Sequence, residues 1–256
     1  MKTLSSLFLT AFFVVSACSA QTQDKFSIYT SLGYGFGIGG RLIDSSVSYN
    51  GLTLLESTDH HQNYGKGMKV EIGALFGIMS NVDLQTGFVY SWGIPYIEET
   101  DQMIFGTAET NTTLKHKHSQ FGIKVLVLPN FEVFKLFDAY AGVGIGVFFN
   151  FSSAEVSRTG DYEALITDSN KPSPAFLGCF GLDFPLNDML HFFVETGFEA
   201  MSSTMKETRI TKSNFTTSDY DEKTIEYKED SVGLKAPPKT PGSNINVRLG
   251  LRLNIL

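Results

Sequence analysis

Seven ionisable residues, Lys69, Glu71, Lys124, Glu195, Glu199, Arg248 and Arg252, fall on the polar parity of segments whose other parity is largely apolar. Gathered on one enclosed surface, three carboxylates and four cations would pair, because an isolated buried charge is costly. Such a set serves either as a structural plug of matched charges or as a narrow ion path with a gate. Other reactive residues assemble nothing comparable. His118 and Ser119 are neighbours in sequence, so on a strand they point to opposite faces and share no proton. His60, His61, His116 and His118 lack a Cys or acidic residue at ligand spacing. Asp83, Asp138 and Asp183 read as solvated carboxylates at strand ends. The expectation is no catalytic residue, no cofactor, no metal and no enzyme.

The elements that must position the seven charges are read from the same alternation. In residues 245–256, Ile245, Val247, Leu249, Leu251, Leu253 and Ile255 share one face, and Asn246, Arg248, Gly250, Arg252 and Asn254 share the other. Twelve residues rising about 3.3 Å each and tilted by about 40° cover about 30 Å, the span of a bilayer's hydrocarbon layer. Phe26 to Ile38 sets Ile28, Leu32 and Phe36 against Ser27, Tyr29, Ser31, Gly33, Gly35 and Gly37, a face almost without side chains. Glycines on the inner face of a narrow barrel leave room for long side chains from across the lumen. The pattern recurs in 68–79, 82–94, 121–127, 139–147, 176–184 and 190–199, making eight strands. The fold predicted is all-β: an eight-stranded antiparallel up-and-down transmembrane β-barrel. The last two strands are neighbours, so Glu195 or Glu199 can pair with Arg248 or Arg252. The competing reading is a soluble sandwich or lipocalin-like barrel.

Connections alternate in length. Those around Ser80-Asn81, Pro129-Asn130 and Pro185-Leu186-Asn187 are short, whereas 39–67, 95–119, 150–174 and 202–243 are long and polar. Short periplasmic turns and long external loops fit an outer-membrane barrel with both termini periplasmic. Thr-rich stretches at 95–119 and 205–230, with partial alternation through Ile104, Leu114, Ile210, Ile225 and Tyr227, read equally as strand extensions or as surface loops. Phe26, Phe137 and Phe184 are expected in one aromatic belt, and Tyr90, Trp92, Phe148 and Phe149 in the other.

Residues 1–20 read as a signal peptide, with Lys2, an apolar Leu7 to Val15 and a small-residue cleavage site; residues 21–256 form the barrel domain. Val15-Ser16-Ala17-Cys18 also reads as a lipobox; the other cysteine is Cys179. Loss of Lys2 takes the net charge from −7 to −8, which argues against a nucleic-acid partner.

Eight alternating strands behind a signal peptide, the glycine-laced Tyr140-Ala141-Gly142-Val143-Gly144-Ile145-Gly146 and the 245–256 strand resemble the small outer-membrane β-barrel superfamily. That superfamily includes OmpX, the OmpA membrane domain and the PorT-like proteins of Bacteroidota. The terminal Leu256 departs from the terminal aromatic common in proteobacterial barrels. The resemblance implies a monomer in the bacterial outer membrane, surrounded by lipid. Its function would lie in external loops, as surface interaction, adhesion or envelope integrity. The alternatives are a PorT-like accessory part of a secretion or gliding machine, with a surface or periplasmic protein partner, and a small-solute pore.

Overall fold

A strand with one apolar face leaves its backbone edges unpaired unless neighbours cover them, and in lipid only closure covers every edge. A computed structural model of the chain describes residues 26–50, 53–104, 107–134, 136–158, 162–213, 223–226 and 239–255. The leader, Lys2, Cys18 and Tyr227 lie outside the described residues. The strands are β1 (Phe26–Gly37), β2 (Arg41–Asn50), β3 (Thr53–Gln62), β4 (Gly67–Met79), β5 (Val82–Trp92), β6 (Tyr96–Ile104) and β7 (Thr107–Phe134). They continue with β8 (Phe137–Arg158), β9 (Tyr162–Asn170), β10 (Ser173–Pro185), β11 (Leu190–Ser213), β12 (Lys223–Glu226), β13 (Lys239–Pro241) and β14 (Asn244–Asn254).

Eight of these close a ring of antiparallel pairs in the order β1, β4, β5, β7, β8, β10, β11, β14 and back to β1. Consecutive ring strands are neighbours throughout, the up-and-down pattern. Outside the ring, Ile72, Phe88, Val143, Ile145, Phe176 and Leu249 are exposed apolar side chains. In water that surface would be a liability; in lipid it is the solvated face. The 11 residues of β14 alone cover about 28 Å along the barrel axis at ordinary rise and tilt.

The remaining strands lengthen the ring on one side only. The β2–β3 hairpin continues β1 and β4, β6 continues β5 along β7, and β9 continues β10 between β8 and β11. β12 and β13 lie along β11, ahead of β14. This corrects the reading of 39–67 and 150–174 as loops. Their alternation is carried by hydroxyl and charged side chains, so apolar periodicity does not mark them. Ala154, Val156 and Ala164 nevertheless form buried positions in the second stretch, alongside Met205 and Ile210 of β11. Of the Thr-rich stretches, 96–104 and 107–116 are a strand pair, and Ile225 pairs opposite Thr208.

Each continuation is interrupted where ring meets rim. Gly39 at φ +72 and Gly67 at φ +137 adopt backbone conformations that glycine tolerates, and Pro95 and Pro172 lack the N–H a ladder needs. At the opposite end the turns are short. The Asn187 side chain accepts hydrogen bonds from the Met189 and Leu190 N–H groups at 2.9 and 2.8 Å, an Asx turn. Pro129-Asn130 does not end its strand: β7 runs on to Phe134. The ladder loses little there, because Asn130 donates its N–H to the Asn81 carbonyl at 2.8 Å and pairs with Tyr140.

Candidate functional site

The interior of the ring is the site to which the seven charges lead. Lumen-facing glycines on β4, β5 and β7 make space, and long side chains from other strands fill it. Tyr29 lies where a Cβ on Gly73 or Gly87 would overlap it, and Phe148 lies against Gly122 in the same way. Phe148 is 0% exposed, which corrects its assignment to the outer aromatic belt: it shares the inward parity of Gly146. The belt proper includes the Tyr90–Trp92 pair at 5.8 Å, and the opposite belt the Phe137–Phe184 pair at 5.6 Å. Gly122→Leu is expected to overpack the Phe148 site and cost about 1–3 kcal/mol, read as a lower urea midpoint in detergent. An unchanged midpoint would show that Phe148 moves aside freely.

At mid-lumen, Arg248 on β14 forks between Glu71 on β4 and Glu195 on β11. Lys124 on β7 meets Glu71 at 2.7 Å, and the Tyr29 hydroxyl donates to the same carboxylate. Tyr140 donates to Glu195 at 3.0 Å. Two cations and two carboxylates thus cancel. Nearer the rim, Lys69 meets Glu199 at 2.5 Å, and the Asn244 side-chain amide donates to Glu199 at 2.7 Å. Above these, Gln120 donates to Asn150 at 2.8 Å, and Asn150 to Ser173 at 3.3 Å. Arg252 joins none of these groups. It meets Asp183 at 2.5 Å at the short-turn end, with His191 Nδ1 at 2.7 Å from the same carboxylate oxygen.

The rim end is capped. Residues 63–66, between β3 and β4, cross the mouth. The Asn63 amide donates to the carbonyls of Ile38, Gly39 and Ser243 at 3.0, 2.7 and 3.2 Å. Tyr64, 1% exposed, donates its N–H to Pro241 and its hydroxyl to Ser152 at 3.2 Å, and accepts from Asn170 at 2.9 Å. His118 Nε2 donates to the Lys66 carbonyl at 2.9 Å. No apolar periodicity marks this segment in the sequence, whereas Tyr29, Tyr140, Asn244 and Asn246 stand on the polar parity and are legible from it.

His118 faces inward, opposite Ser152 across the β7–β8 ladder, while Ser119 faces the other side. His60 and His61 sit on β3 opposite Asp44 and Leu42. Among the described residues no three His, Cys, Asp or Glu converge as metal ligands.

Burial lowers the His118 pKa, with the Lys66 charge acting in the same direction and the hydrogen bond to its carbonyl opposing. His118 lies one row outside the Tyr90–Trp92 belt. Opening the cap returns the ring to water and to its ordinary value near 6.5, so protonation favours the open form. Closure is expected to be strongest above about pH 6.5 and to weaken as pH falls through the lowered value. Amide exchange at Tyr64 and Gly65 should therefore accelerate at pH 5 relative to pH 7.5, and His118→Gln should remove the difference. Equal exchange at both pH values would refute it.

No protein-family model matches the sequence, and no curated protein matches it. Solved structures do match its fold. A major outer membrane protein from Thermus thermophilus is 11% identical with a TM-score of 0.51, covering 91% of this chain and 100% of that one. The outer membrane protein OprG from Pseudomonas aeruginosa is 11% identical with a TM-score of 0.48, covering 91% and 96%. The closed ring, its apolar exterior and the likeness to the Thermus protein define the class: the chain has the outer-membrane β-barrel fold.

The matching structures also include the outer membrane protease OmpT from Escherichia coli, 6% identical with a TM-score of 0.43, covering 93% and 100%. This corrects the expectation that the chain is no enzyme: membership of this fold class gives no ground for excluding catalysis.

Proposed function

We propose that the chain resides in a bacterial outer membrane as a monomer with periplasmic termini. In this reading it works through its extended external rim, in surface interaction, adhesion or envelope integrity, in the manner of the OmpX-like and OmpA-like barrels it resembles. The supporting observation is the contrast along the barrel axis. The lumen is filled by matched charges and capped by Tyr64, whereas β7 reaches 28 residues and β11 24, against 13 in β4. Length beyond the apolar band is what a partner outside the membrane would meet.

Replacing residues 98–113 with a short glycine turn tests this reading. The shortened barrel should still run faster unboiled than boiled on a denaturing gel. Cells carrying it should lose the surface adhesion or detergent resistance conferred by the full chain; identical behaviour of the two would overturn the reading. The small-solute pore alternative predicts steps in planar bilayers, and a filled lumen is expected to give none; regular single-channel steps would sink the closed-lumen assignment.

The second reading, a PorT-like accessory part of a secretion or gliding machine, is favoured by an open acid-lined mouth at the short-turn end. Photo-crosslinkers at Asn187 and at residue 100 separate the two. Protein capture from Asn187 supports the machine component, and capture from the rim supports the surface role.

A further inference from the structure

The short-turn end of the lumen is a vestibule of about 580 Å³, within the usual size of small-molecule sites. Asp83 on β5, Asp138 on β8, Asp183 on β10 and Asp188 in the turn before β11 line it, with Arg252 as the facing cation. Arg252 is matched by one oxygen of Asp183. Asp138 and Asp188 add negative charge beyond that pair, as does Asp83, which accepts from the Asn130 amide at 2.7 Å, and a basin of this shape concentrates cations.

The floor carries a second, separate feature. A void of about 20 Å³ shares Asp183, Asn130, Tyr140 and Arg252 with the vestibule and is further lined by Gln85, Tyr29 and Phe193. Gln85 is only 4% exposed, yet its amide oxygen has no hydrogen-bond partner; the second oxygen of Asp183, a residue 1% exposed, has none either. Two buried acceptors without partners line one void, beside aromatic rings, and suit the N–H groups of a cationic head; Arg252, whose Nε is an unpartnered donor on the same void, has its charge matched by Asp183. The void holds one group of about the size of a water molecule or an ammonium.

We propose that this vestibule binds an organic amine, with one ammonium on the floor between Gln85 and Asp183 and further positive charge along Asp83, Asp138 and Asp188. A compact metal ion fits less well, since no three carboxylate or imidazole side chains converge on a point among the described residues. Carboxylates spread around a basin suit a cation whose charges are spread as well. That cation is either a free polyamine or a lysine side chain of a periplasmic protein. The inference does not depend on the machine-component reading, because a free amine satisfies the site equally, and crosslinking from Asn187 tests that reading separately.

The test is calorimetric titration of the folded full chain in detergent with spermidine, with an N-acetylated lysine-rich peptide, and with magnesium alone. Saturable binding of spermidine or the peptide is expected, weakened at least tenfold in Asp138→Asn/Asp188→Asn and in Gln85→Leu, each checked for its unboiled gel shift. Tighter spermidine binding would assign a free polyamine, and tighter peptide binding a protein segment. The Gln85 side-chain amide resonance of the unaltered chain should shift on titration, a readout needing no variant. No saturable binding of either probe, equal binding by the folded variants, or displacement by equimolar magnesium would overturn the proposal.

Discussion

Arg248→Met is expected to destabilise the barrel by about 3–5 kcal/mol, the range seen when one partner of a buried ion pair is removed. Arg248 is buried and serves two carboxylates, Glu195 on the adjacent β11 and Glu71 on β4, one strand beyond β1. Without it Lys124 still faces Glu71, but Glu195 keeps only the Tyr140 hydroxyl. An excess negative charge is then stranded in a lumen from which side chains exclude most water. Urea unfolding in detergent, followed by loss of the unboiled gel shift, measures the change. Arg248→Met with Glu195→Gln restores charge balance and should recover roughly half of the loss, since much of the cost is the stranded carboxylate rather than the missing bond. A single variant within about 1 kcal/mol of the parent would show that water reaches this layer and that the lumen is not plugged there.

Leu251→Arg is expected to cost about 2–4 kcal/mol, for the opposite reason. Leu251 lies on the outer face of β14, 45% exposed, opposite Thr30 on β1 and Phe192 on β11. In water that exposure would make the change nearly neutral. In lipid the guanidinium must stay solvated near the bilayer midplane, where snorkelling and local thinning relieve only part of the penalty. The comparison that decides is folding into lipid vesicles against folding into short-chain detergent micelles. The loss should be large in vesicles and smaller in micelles, whose thin, deformable rim admits water. Equal tolerance in both would mean that this face of β14 does not meet lipid.

These two predictions concern positions three residues apart on one strand, and what separates them is parity. Parity is a local property: a period of two along β14 assigns Leu251 to one face and Arg248 to the other from the sequence alone. The eight-strand count and the antiparallel order are legible for the same reason, because each strand is long, alternating and followed by a connection of recognisable length. Phe148 shows how the reading fails when residue type outweighs parity. As one of two adjacent phenylalanines it reads as belt, yet its period places it inside against Gly122.

Alternation within each strand is enough to assign which side chains face lipid and which face the lumen. Which lumen groups meet was decided by the tertiary structure, because closure sets the stagger between strands far apart in the chain. Lys69 finds Glu199, 130 positions away, and Arg252 finds Asp183 rather than Glu195 or Glu199. The Tyr64 cap, the strand character of 39–67 and 150–174, and the acid-lined vestibule belong to the same category. Their residues carry no apolar period, and they come together only when the ring closes and brings both ends of eight strands to common levels.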